Sequence, residues 1–182
     1  MRVITGMARG RVLSAPDNND IRPTSDKVKE SVFSAINFDL EGAVFLDLFA
    51  GTGQMGIEAI SRGASQAIFV DASAKAIELV RKNLDVTGFF KLSQLVNMTA
   101  EAFLKNTKNV FDIVYIDPPF DKVDINELLV LAVAKMSNQG IILVESSLDT
   151  QLGAQFGGFE IAKVYKYGKV KVTSYKQKER DI

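Results

Sequence analysis

A run of apolar residues that leads directly into a glycine-rich turn constrains this chain more than any other feature. Residues 44–49 read as a short buried strand that is apolar except at Asp47. The turn that follows has Gly51, Gly53 and Gly56 in the spacing G-x-G-x-x-G. A strand, such a turn and then a helix form a nucleotide-cofactor site, because glycine permits the tight turn and lets a ligand approach the helix-start amides.

A second acidic strand end supports this interpretation. Asp71 closes the apolar run of residues 66–71 and follows Gly51 by 20 residues. A carboxylate at that position of the motif can accept hydrogen bonds from ribose hydroxyls. Two plainer interpretations stay open, namely an ordinary strand-to-helix turn for the glycines and a surface aspartate for Asp71.

The composition excludes several kinds of chemistry. The 182 residues contain no cysteine and no histidine, which rules out disulfides, a Ser-His-Asp triad, a cysteine nucleophile and zinc held by His or Cys. The length predicts one domain, and no apolar run is long enough to span a bilayer. The first residues lack the apolar segment of a signal peptide, so we expect a cytoplasmic protein with no membrane contact.

Positive charge is concentrated at both ends of the chain. Residues 163–182 hold seven Lys or Arg and two Asp or Glu, residues 1–30 hold six and four, and residues 31–162 hold nine and sixteen. Basic ends suit a polyanionic partner such as nucleic acid. Arg9 and Arg11 flank a predicted hairpin turn, where guanidinium groups suit phosphate oxygens, but solvated charges without a partner are the alternative.

Strands and helices alternate along the chain. After a hairpin or extended arm over residues 1–14, a helix is predicted to begin at Thr24 or Ser25. Strands are predicted at residues 44–49, 66–71, 92–97, 110–116 and 140–145, with an antiparallel pair at residues 159–167 and 169–176. This order predicts an α/β fold with a parallel sheet, helices on both faces and an antiparallel edge.

The predicted sheet brings four positions to one edge. The carboxyl ends of parallel strands lie together, and ligands bind there where the strand order reverses. We therefore expect one crevice to gather the residues at these strand ends, which are Gly51, Asp71, Asn97 and Asp117.

The tetrapeptide Asp117-Pro118-Pro119-Phe120 is the second chemical signature. Two prolines stiffen the backbone just after the fourth strand. The Asp117 carboxylate and the Pro118 carbonyl could accept hydrogen bonds from both hydrogens of an exocyclic amine, which would free its nitrogen lone pair for attack. Phe120 offers a face on which a base can stack, worth about 1–3 kcal/mol. A plain turn is the alternative.

These motifs resemble those of the S-adenosylmethionine-dependent N-methyltransferases. The chain as a whole is similar to the ribosomal small-subunit methyltransferase D family, whose members methylate guanine N2 in 16S ribosomal RNA. The stretches that carry the resemblance are residues 1–13, 22–30, 47–53, 56–59, 61–64 and 117–120. The Arg22-Pro23-Thr24 segment is the most specific to the family, whereas Asp-Pro-Pro-Phe alone is shared with adenine N6 enzymes.

The resemblance implies a Rossmann-like, doubly wound sheet of the class I S-adenosylmethionine-dependent methyltransferases. It implies seven strands, of which the last is antiparallel, and an N-terminal hairpin that helps to hold RNA. We accordingly divide the chain into an RNA-contacting arm, residues 1–22, and a methyltransferase domain, residues 23–182. The implied partner is 16S rRNA within a small-subunit assembly particle, and we expect a monomer that needs no metal.

Site residues follow from the motifs and from the resemblance together. By position in the family, Asp47, Gly51 and Gly53 would contact the methionine part of S-adenosylmethionine, and Asp71 its ribose. The complete predicted cofactor set is Asp47, Phe49, Ala50, Gly51, Thr52, Gly53, Gly56, Asp71, Thr99 and Ala100. The predicted catalytic set is Asp117, Pro118, Pro119 and Phe120, and the predicted RNA-binding set is Arg2, Arg9, Arg11 and Arg22. For Arg22 and Thr24, closure over a ligand and a structural role at the helix entry are both open.

Three other functions remain alternatives at this stage. A DNA or RNA adenine-N6 methyltransferase would use the same tetrapeptide. A nicotinamide-dependent oxidoreductase would use the glycine motif and Asp71, although it leaves the tetrapeptide unexplained. A non-catalytic RNA-binding assembly factor would use only the basic ends.

Overall fold

The computed structural model describes residues 1–15, 25–119 and 123–178. The helices are α1 (Asp26–Ala35), α2 (Gln54–Ser61), α3 (Ala74–Thr87), α4 (Ala100–Asn106) and α5 (Ile125–Val133). The strands are β1 (Val44–Leu48), β2 (Gln66–Asp71), β3 (Ser93–Asn97), β4 (Phe111–Ile116), β5 (Met136–Ser147), β6 (Gln155–Phe156), β7 (Phe159–Tyr167) and β8 (Val170–Gln177). In the described residues, no helix has the length and apolarity that a membrane crossing requires.

The helix ends agree with the capping signals of the sequence. The Ser25 hydroxyl accepts a hydrogen bond from the Val28 amide at 3.3 Å and so starts α1. The Ser73 hydroxyl does the same for the Ala76 amide at the start of α3. Gly88, in the left-handed conformation, ends α3. These contacts satisfy helix-end groups that otherwise have no partner, which is why such residues predict helix boundaries.

The strands form one sheet with the order β3-β2-β1-β4-β5-β8-β7-β6. Strands β1 to β5 are parallel to their neighbours within this group. Strand β8 is antiparallel to both β5 and β7. Because β1 lies between β2 and β4, the direction in which strands are added reverses beside β1, and a crevice opens there at the carboxyl ends. The predicted doubly wound α/β fold is thus confirmed.

The sheet has eight strands, whereas the resemblance implies seven. The additional strand β6 contains only Gln155 and Phe156 and pairs with Glu160 and Phe159 at the sheet edge. A two-residue strand is too short to produce an alternating pattern of apolar residues, so no periodicity in the sequence could reveal it.

Strand β5 also begins earlier than the sequence predicts. It starts at Met136, which pairs with Phe111, and the register then shifts before Ile113 pairs with Ile141. Residues 137–139 of β5 are polar, so the apolar run that identifies a buried strand begins only at Gly140.

Apolar side chains pack on both faces of the sheet. On β1, Phe45 belongs to the core beneath α1, α2 and α3, while Leu46 belongs to the core beneath α4 and α5. Both side chains are fully buried. A parallel strand that is covered on both faces reads as a continuous apolar run, as residues 44–49 do. The glycine turn that follows β1 is therefore anchored to a strand that is buried on both faces of the sheet.

Residues 1–15 form a small hairpin that is docked on the domain. A single bridge pairs Arg2 with Val12. Val3, Ala8 and Leu13 are 1%, 5% and 3% exposed and belong to the core beneath α1 to α3. Of the two predicted forms, a hairpin or an extended arm, the described residues adopt the hairpin.

Helix α2 holds this hairpin with buried polar groups. The Glu58 carboxylate accepts hydrogen bonds from the amides of Ile4 at 2.8 Å and Thr5 at 3.0 Å. The Ser61 hydroxyl donates to the Thr5 carbonyl at 2.6 Å, and the Ser61 carbonyl accepts from the Met7 amide at 2.8 Å. The hairpin backbone is therefore fixed to the same helix that begins at the glycine turn.

Candidate active site

A cavity of about 920 Å³ opens at the carboxyl ends of the parallel strands. Its size is typical of ligand sites, which range over about 300–1,000 Å³. The lining residues are Ser25, Lys27, Val28, Phe49, Gly51, residues 70–73, residues 99–101, residues 117–119, Val123, Glu145 and residues 167–170. The cavity lies at the switch point between β1 and β4, which is where doubly wound sheets bind their ligands.

The glycine turn forms the floor of the cavity beside β1. Gly51 and Gly53 have φ values of 54° and 75°, a region that other residues rarely adopt. A Cβ atom on Gly53 would lie 2.9 Å from the Val80 Cγ1 atom, and one on Gly56 would lie 2.3 Å from the Phe69 Cε1 atom. Gly53 and Gly56 therefore allow α2 to pack closely on α3 and β2, while Gly51 lines the cavity.

Phe49 is the one described non-glycine residue with a positive φ, at 64°. Such a conformation costs about 1–3 kcal/mol and is found mainly at functional sites. The backbone around it is held on both sides, since the Ala50 amide donates to the Val70 carbonyl at 3.1 Å. Phe49, a member of the predicted cofactor set, lines the cavity.

Asp47 lies beneath the glycine turn and does not line the cavity. It is 2% exposed, and its Oδ2 atom accepts a hydrogen bond from the Gly56 amide at 2.9 Å. Burial raises the pKa of Asp47 to about 8; the Gly56 hydrogen bond opposes this shift, and the nearby charge of Asp71 adds to it. The Asp47 carboxylate therefore holds the turn, and its contact with the methionine part of a cofactor, which the resemblance implies, stays a prediction.

Asp71 connects the end of β2 to the glycine turn. Its Oδ2 atom accepts from the Gly51 amide at 3.0 Å and its Oδ1 atom from the Ser73 amide at 2.8 Å. Asp71 and Gly51 both line the cavity, so the structure brings together the two parts of the predicted nucleoside site. Each carboxylate oxygen has two acceptor positions, and a ribose hydroxyl can therefore bind in addition.

Asn97, expected in the same crevice, supports Asp71 from outside. Its side-chain amide donates to the carbonyls of Asp71 at 2.9 Å and Ala72 at 3.0 Å. Asn97 is not among the described residues that line the cavity. Asn97 is the last residue of β3 and pairs with Asp71, the last residue of β2. Its side chain therefore holds the backbone that follows β2.

Thr99 and Ala100 lie at the start of α4 and line the cavity on the β2 side. The Thr99 hydroxyl accepts a hydrogen bond from the Ala102 amide at 3.2 Å and thereby caps the helix. Ala100 is 3% exposed, and its small side chain forms an apolar wall. An acidic side chain, a glycine turn and an apolar wall in one cavity match the polar and apolar parts of a nucleoside.

Asp117, Pro118 and Pro119 all line the same cavity. They follow β4 directly, and β4 is the neighbour of β1 on the other side of the switch point. The Asp117 amide contacts the Leu48 carbonyl at 3.5 Å, which joins this segment to the strand that leads into the glycine turn. Phe120, the fourth predicted catalytic residue, lies outside the described residues.

Two other predicted cofactor residues, Ala50 and Thr52, lie in the turn but are not among the described residues of the cavity lining. Ala50 is 7% exposed and Thr52 is 3% exposed. The Thr52 carbonyl accepts from the Asn83 side-chain amide at 2.9 Å, and its hydroxyl contacts the Met1 sulfur at 3.5 Å. Their positions indicate that they shape the turn and connect it to α3 and to the N-terminal hairpin.

The predicted RNA-binding arginines lie on the docked hairpin. Arg2, Arg9 and Arg11 are all exposed to solvent. Arg22, and Thr24 with it, lie outside the described residues. The basic groups of the hairpin are therefore presented on a surface that is rigidly attached to α2 rather than on a free arm.

Sequence reasoning missed one side of the cavity. This side is formed by Ser25, Lys27 and Val28 from the start of α1, by Glu145 at the end of β5, and by residues 167–170 between β7 and β8. Glu145 could have been found, because it ends a predicted strand in the same way as Asp71 and Asp117. Ser25, Lys27 and Val28 lie in the stretch of residues 22–30 that carries the family resemblance, whereas residues 167–170 are far away in sequence and carry no motif.

Comparisons with known proteins identify the family of the chain. The family model described as Conserved hypothetical protein 95 matches residues 1–176. The protein named "Putative rRNA methyltransferase YlbH" of Bacillus subtilis (strain 168) is 37% identical over 183 residues, which cover 98% of this chain and 100% of that protein. The ribosomal RNA small subunit methyltransferase D of Escherichia coli (strain K12) is 34% identical over 154 residues, which cover 84% of this chain and 77% of that protein.

A solved structure shows the same agreement in three dimensions. The structure described as "Putative methyltransferase yhhF from Escherichia coli" superposes with a TM-score of 0.88 at 28% sequence identity and covers 99% of both chains. The resemblance to the ribosomal small-subunit methyltransferase D family is thereby confirmed. On the match across residues 1–176 and on the fold and cavity described above, the chain belongs to the family of Conserved hypothetical protein 95.

Proposed function

We propose that this protein transfers a methyl group from S-adenosylmethionine to the exocyclic N2 of a guanine in 16S ribosomal RNA. One observation carries the proposal: Gly51, Asp71 and the Asp117-Pro118 step line a single cavity at the switch point. The relatives named as rRNA methyltransferases support the reaction type and the substrate class.

The β1 and β2 side of the cavity suits the cofactor. When bound, S-adenosylmethionine supplies an electrophilic methyl group on a sulfonium sulfur. Asp71 would hold the ribose hydroxyls, and Gly51 would let the ligand approach the backbone of the turn. Thr99 and Ala100 would contact the adenine, and Asp47 would keep the turn in shape through its hydrogen bond to the Gly56 amide.

The β4 side suits an amine. The nitrogen lone pair of an exocyclic amine is delocalised into the base and is a poor nucleophile. The Asp117 carboxylate and the Pro118 carbonyl are two acceptors on a backbone that Pro118 and Pro119 stiffen. Hydrogen bonds to both would release the lone pair, and holding amine and donor in line is the main gain available to a two-substrate displacement. Phe120 is the residue that we predict, from the sequence, to stack on the base.

The target base has to be unstacked before the enzyme can bind it. A base must leave its stack, or come from a single-stranded loop, before it can enter a cavity of this kind.

We assign residues 1–22, with Arg2, Arg9, Arg11 and Arg22, to RNA contact and residues 23–182 to the methyltransferase domain. We further propose that the protein acts as a monomer in the cytoplasm, without a metal, on a small-subunit assembly particle.

Methyl transfer to RNA is tested with radiolabelled S-adenosylmethionine. The purified protein is incubated with 16S rRNA and with small subunits from cells that lack it, and the labelled nucleotide is mapped. Label on a guanine N2 supports the proposal. Label on an adenine N6 would favour the adenine-specific alternative, and RNA binding with no labelling of any substrate would favour a non-catalytic assembly factor.

A further inference from the structure

Glu145 is a buried acidic residue that the proposed function leaves unused. It lies near the end of β5, is 7% exposed and lines the cavity. Its Oε2 atom contacts the Tyr115 hydroxyl at 2.6 Å. Because a carboxylate can only accept, the hydroxyl donates, and this hydrogen bond fixes the orientation of the carboxylate.

The strand register brings Glu145 and Asp117 to the same edge of the sheet. In the parallel pair of β4 and β5, Tyr115 is opposite Leu143 and Ile116 is opposite Val144. The following residues on the two strands are Asp117 and Glu145. Asp117 is the first residue after β4, and both residues line the cavity. Two acidic residues from neighbouring strand ends therefore line the predicted position of the target base.

A pair of neighbouring acceptors distinguishes guanine from adenine. The Watson–Crick edge of guanine presents two adjacent donors, the N2 amino group and the N1–H. The corresponding edge of adenine presents the N6 amino group next to an unprotonated N1, which is itself an acceptor. If Asp117 accepts from the amino group in each case, Glu145 meets a donor in guanine and a lone pair in adenine. Two facing acceptors repel each other and leave buried polar groups unpaired, which is the strongest basis for rejecting a substrate.

On these grounds we infer that Glu145 accepts a hydrogen bond from the N1–H of the target guanine and thereby determines specificity for guanine. The inference rests on the proposed function, since it assigns the base that the cavity selects. Tyr115 acts as a positioning residue, because its hydroxyl donates to one oxygen of the Glu145 carboxylate and restricts the rotation of that group.

The test uses a substrate that differs from guanine at the edge in question. 2-Aminopurine keeps the N2 amino group but has an unprotonated N1. The target guanosine, once mapped, is replaced by 2-aminopurine riboside in 16S rRNA made by splinted ligation. Both RNAs are then assayed free and after reconstitution into subunits. For the wild-type protein we expect kcat/KM to be at least about 100-fold lower with 2-aminopurine, as expected when a site built for a donor loses it.

The Glu145→Gln variant should narrow this preference. A glutamine can still accept from Tyr115, and its amide N–H can donate to the unprotonated N1 of 2-aminopurine. We expect the variant to have a lower kcat/KM than the wild type on the guanosine RNA. The ratio of kcat/KM on the guanosine RNA to kcat/KM on the 2-aminopurine RNA should be at least about tenfold smaller than in the wild type. Affinity for S-adenosylhomocysteine, measured by calorimetry, should stay the same. Glu127→Gln is the matched control, because Glu127 is exposed on α5 and away from the cavity lining.

Three outcomes would overturn the inference. One is a wild-type protein that methylates both RNAs equally well, a result that needs no variant and so does not depend on folding. Another is an equal loss of activity of Glu145→Gln on both RNAs, which indicates a structural role. The third is a wild-type protein that labels no guanosine RNA, which removes the proposed function and the inference with it.

Discussion

Asp117 and Asp47 show how two carboxyl groups in one sheet serve different purposes at the scale of the residue. Asp117 follows β4 and lines the cavity, whereas Asp47 lies within β1 and is covered by the glycine turn. The second group is hydrogen-bonded to the backbone amide of Gly56. Their positions lead to two predictions, one on activity and one on stability.

Asp117→Ala should nearly abolish methyl transfer while cofactor binding survives. The variant loses the acceptor that would activate the amine, and such groups contribute about 100-fold or more to the rate. The measurements are kcat with radiolabelled S-adenosylmethionine and the Kd of S-adenosylhomocysteine by calorimetry. If the variant failed to bind the cofactor product, Asp117 would belong to the cofactor side of the cavity and the assignment would be wrong.

Asp47→Asn should change how stability depends on pH. Burial raises the pKa of Asp47 to about 8 in the folded protein, from a reference value of 3.8. Between these values the native state keeps a proton that the unfolded state has lost, so the free energy of unfolding falls as pH rises. Asparagine is uncharged throughout and can still accept from the Gly56 amide.

The measurement for Asp47→Asn is urea denaturation of both proteins at a series of pH values from 5 to 8, a window that follows from the cited pKa. The variant should gain stability relative to the wild type as pH rises across this window. A constant difference between the two proteins at every pH would show that Asp47 is ionised in the folded state.

At the scale of the element, helix α2 connects the glycine turn to the N-terminal hairpin. Its first residue follows the glycine turn, and its last turn binds the N-terminal hairpin through Glu58 and Ser61. All eight residues of α2 are buried. The Glu58 carboxylate also lies 3.7 Å from the buried amine of Lys29. Burial lowers the pKa of Lys29, and the negative charge of Glu58 opposes this shift. The ion pair therefore offsets part of the cost of burying the two charges. Displacing the hairpin therefore exposes the helix that shapes the cofactor turn.

Gly6→Ala is expected to displace the hairpin. A Cβ atom at this position would lie 1.7 Å from the carbonyl oxygen of Ser61, which is backbone and cannot move aside. Gly10→Ala is the matched control, because Gly10 has a similar φ of 83° against 86° but no atom within 4 Å of its Cβ position.

Both substitutions introduce backbone strain, because alanine disfavours a positive φ. The difference between the two losses in free energy of unfolding therefore measures the contact between the hairpin and α2. We expect Gly6→Ala to lower the free energy of unfolding by about 1–3 kcal/mol more than Gly10→Ala, as overpacking of a tight contact does. Urea denaturation measures it. Equal losses in the two variants would mean that the hairpin does not depend on this close approach to α2.

The whole molecule has no net charge, yet its basic groups are unevenly distributed. The hairpin presents Arg2, Arg9 and Arg11 to solvent, and the opposite end of the chain contributes lysines on β7 and β8. Two lysines, Lys27 and Lys169, also line the cavity itself. This distribution suits a polyanion that crosses the surface and delivers one base to the cavity.

Replacing Arg9 and Arg11 together by glutamine should weaken RNA binding without affecting the cofactor. Each lost phosphate contact should reduce the slope of log K against log salt by about one. Filter binding of 16S rRNA over a range of KCl concentrations measures the slope. Arg81→Gln serves as the control, because Arg81 is an exposed arginine of α3 that pairs with Glu78. An unchanged slope in the double variant would remove the hairpin arginines from the RNA contact.

Most of the elements and half of the cavity could be predicted from local pattern. Ser25, Ser73 and Gly88 mark helix ends because capping acts over three or four residues. Gly51, Asp71 and Asp117 could be assigned to one crevice because they end strands of a predicted parallel sheet. The two-residue strand β6 could not be predicted, and neither could the packing roles of Gly53 and Gly56 against side chains distant in sequence.

By itself, the sequence determined the alternation of strands and helices, the doubly wound fold and the cofactor motif, because these depend on periodicity, capping and glycine conformation within a few residues. Only the tertiary structure decided that Asp47 supports the turn from beneath, that the N-terminal hairpin docks on α2, and that Glu145 and Asp117 line one cavity. These three facts depend on strand order, register and packing between segments distant in the chain, and such contacts leave no local pattern to read.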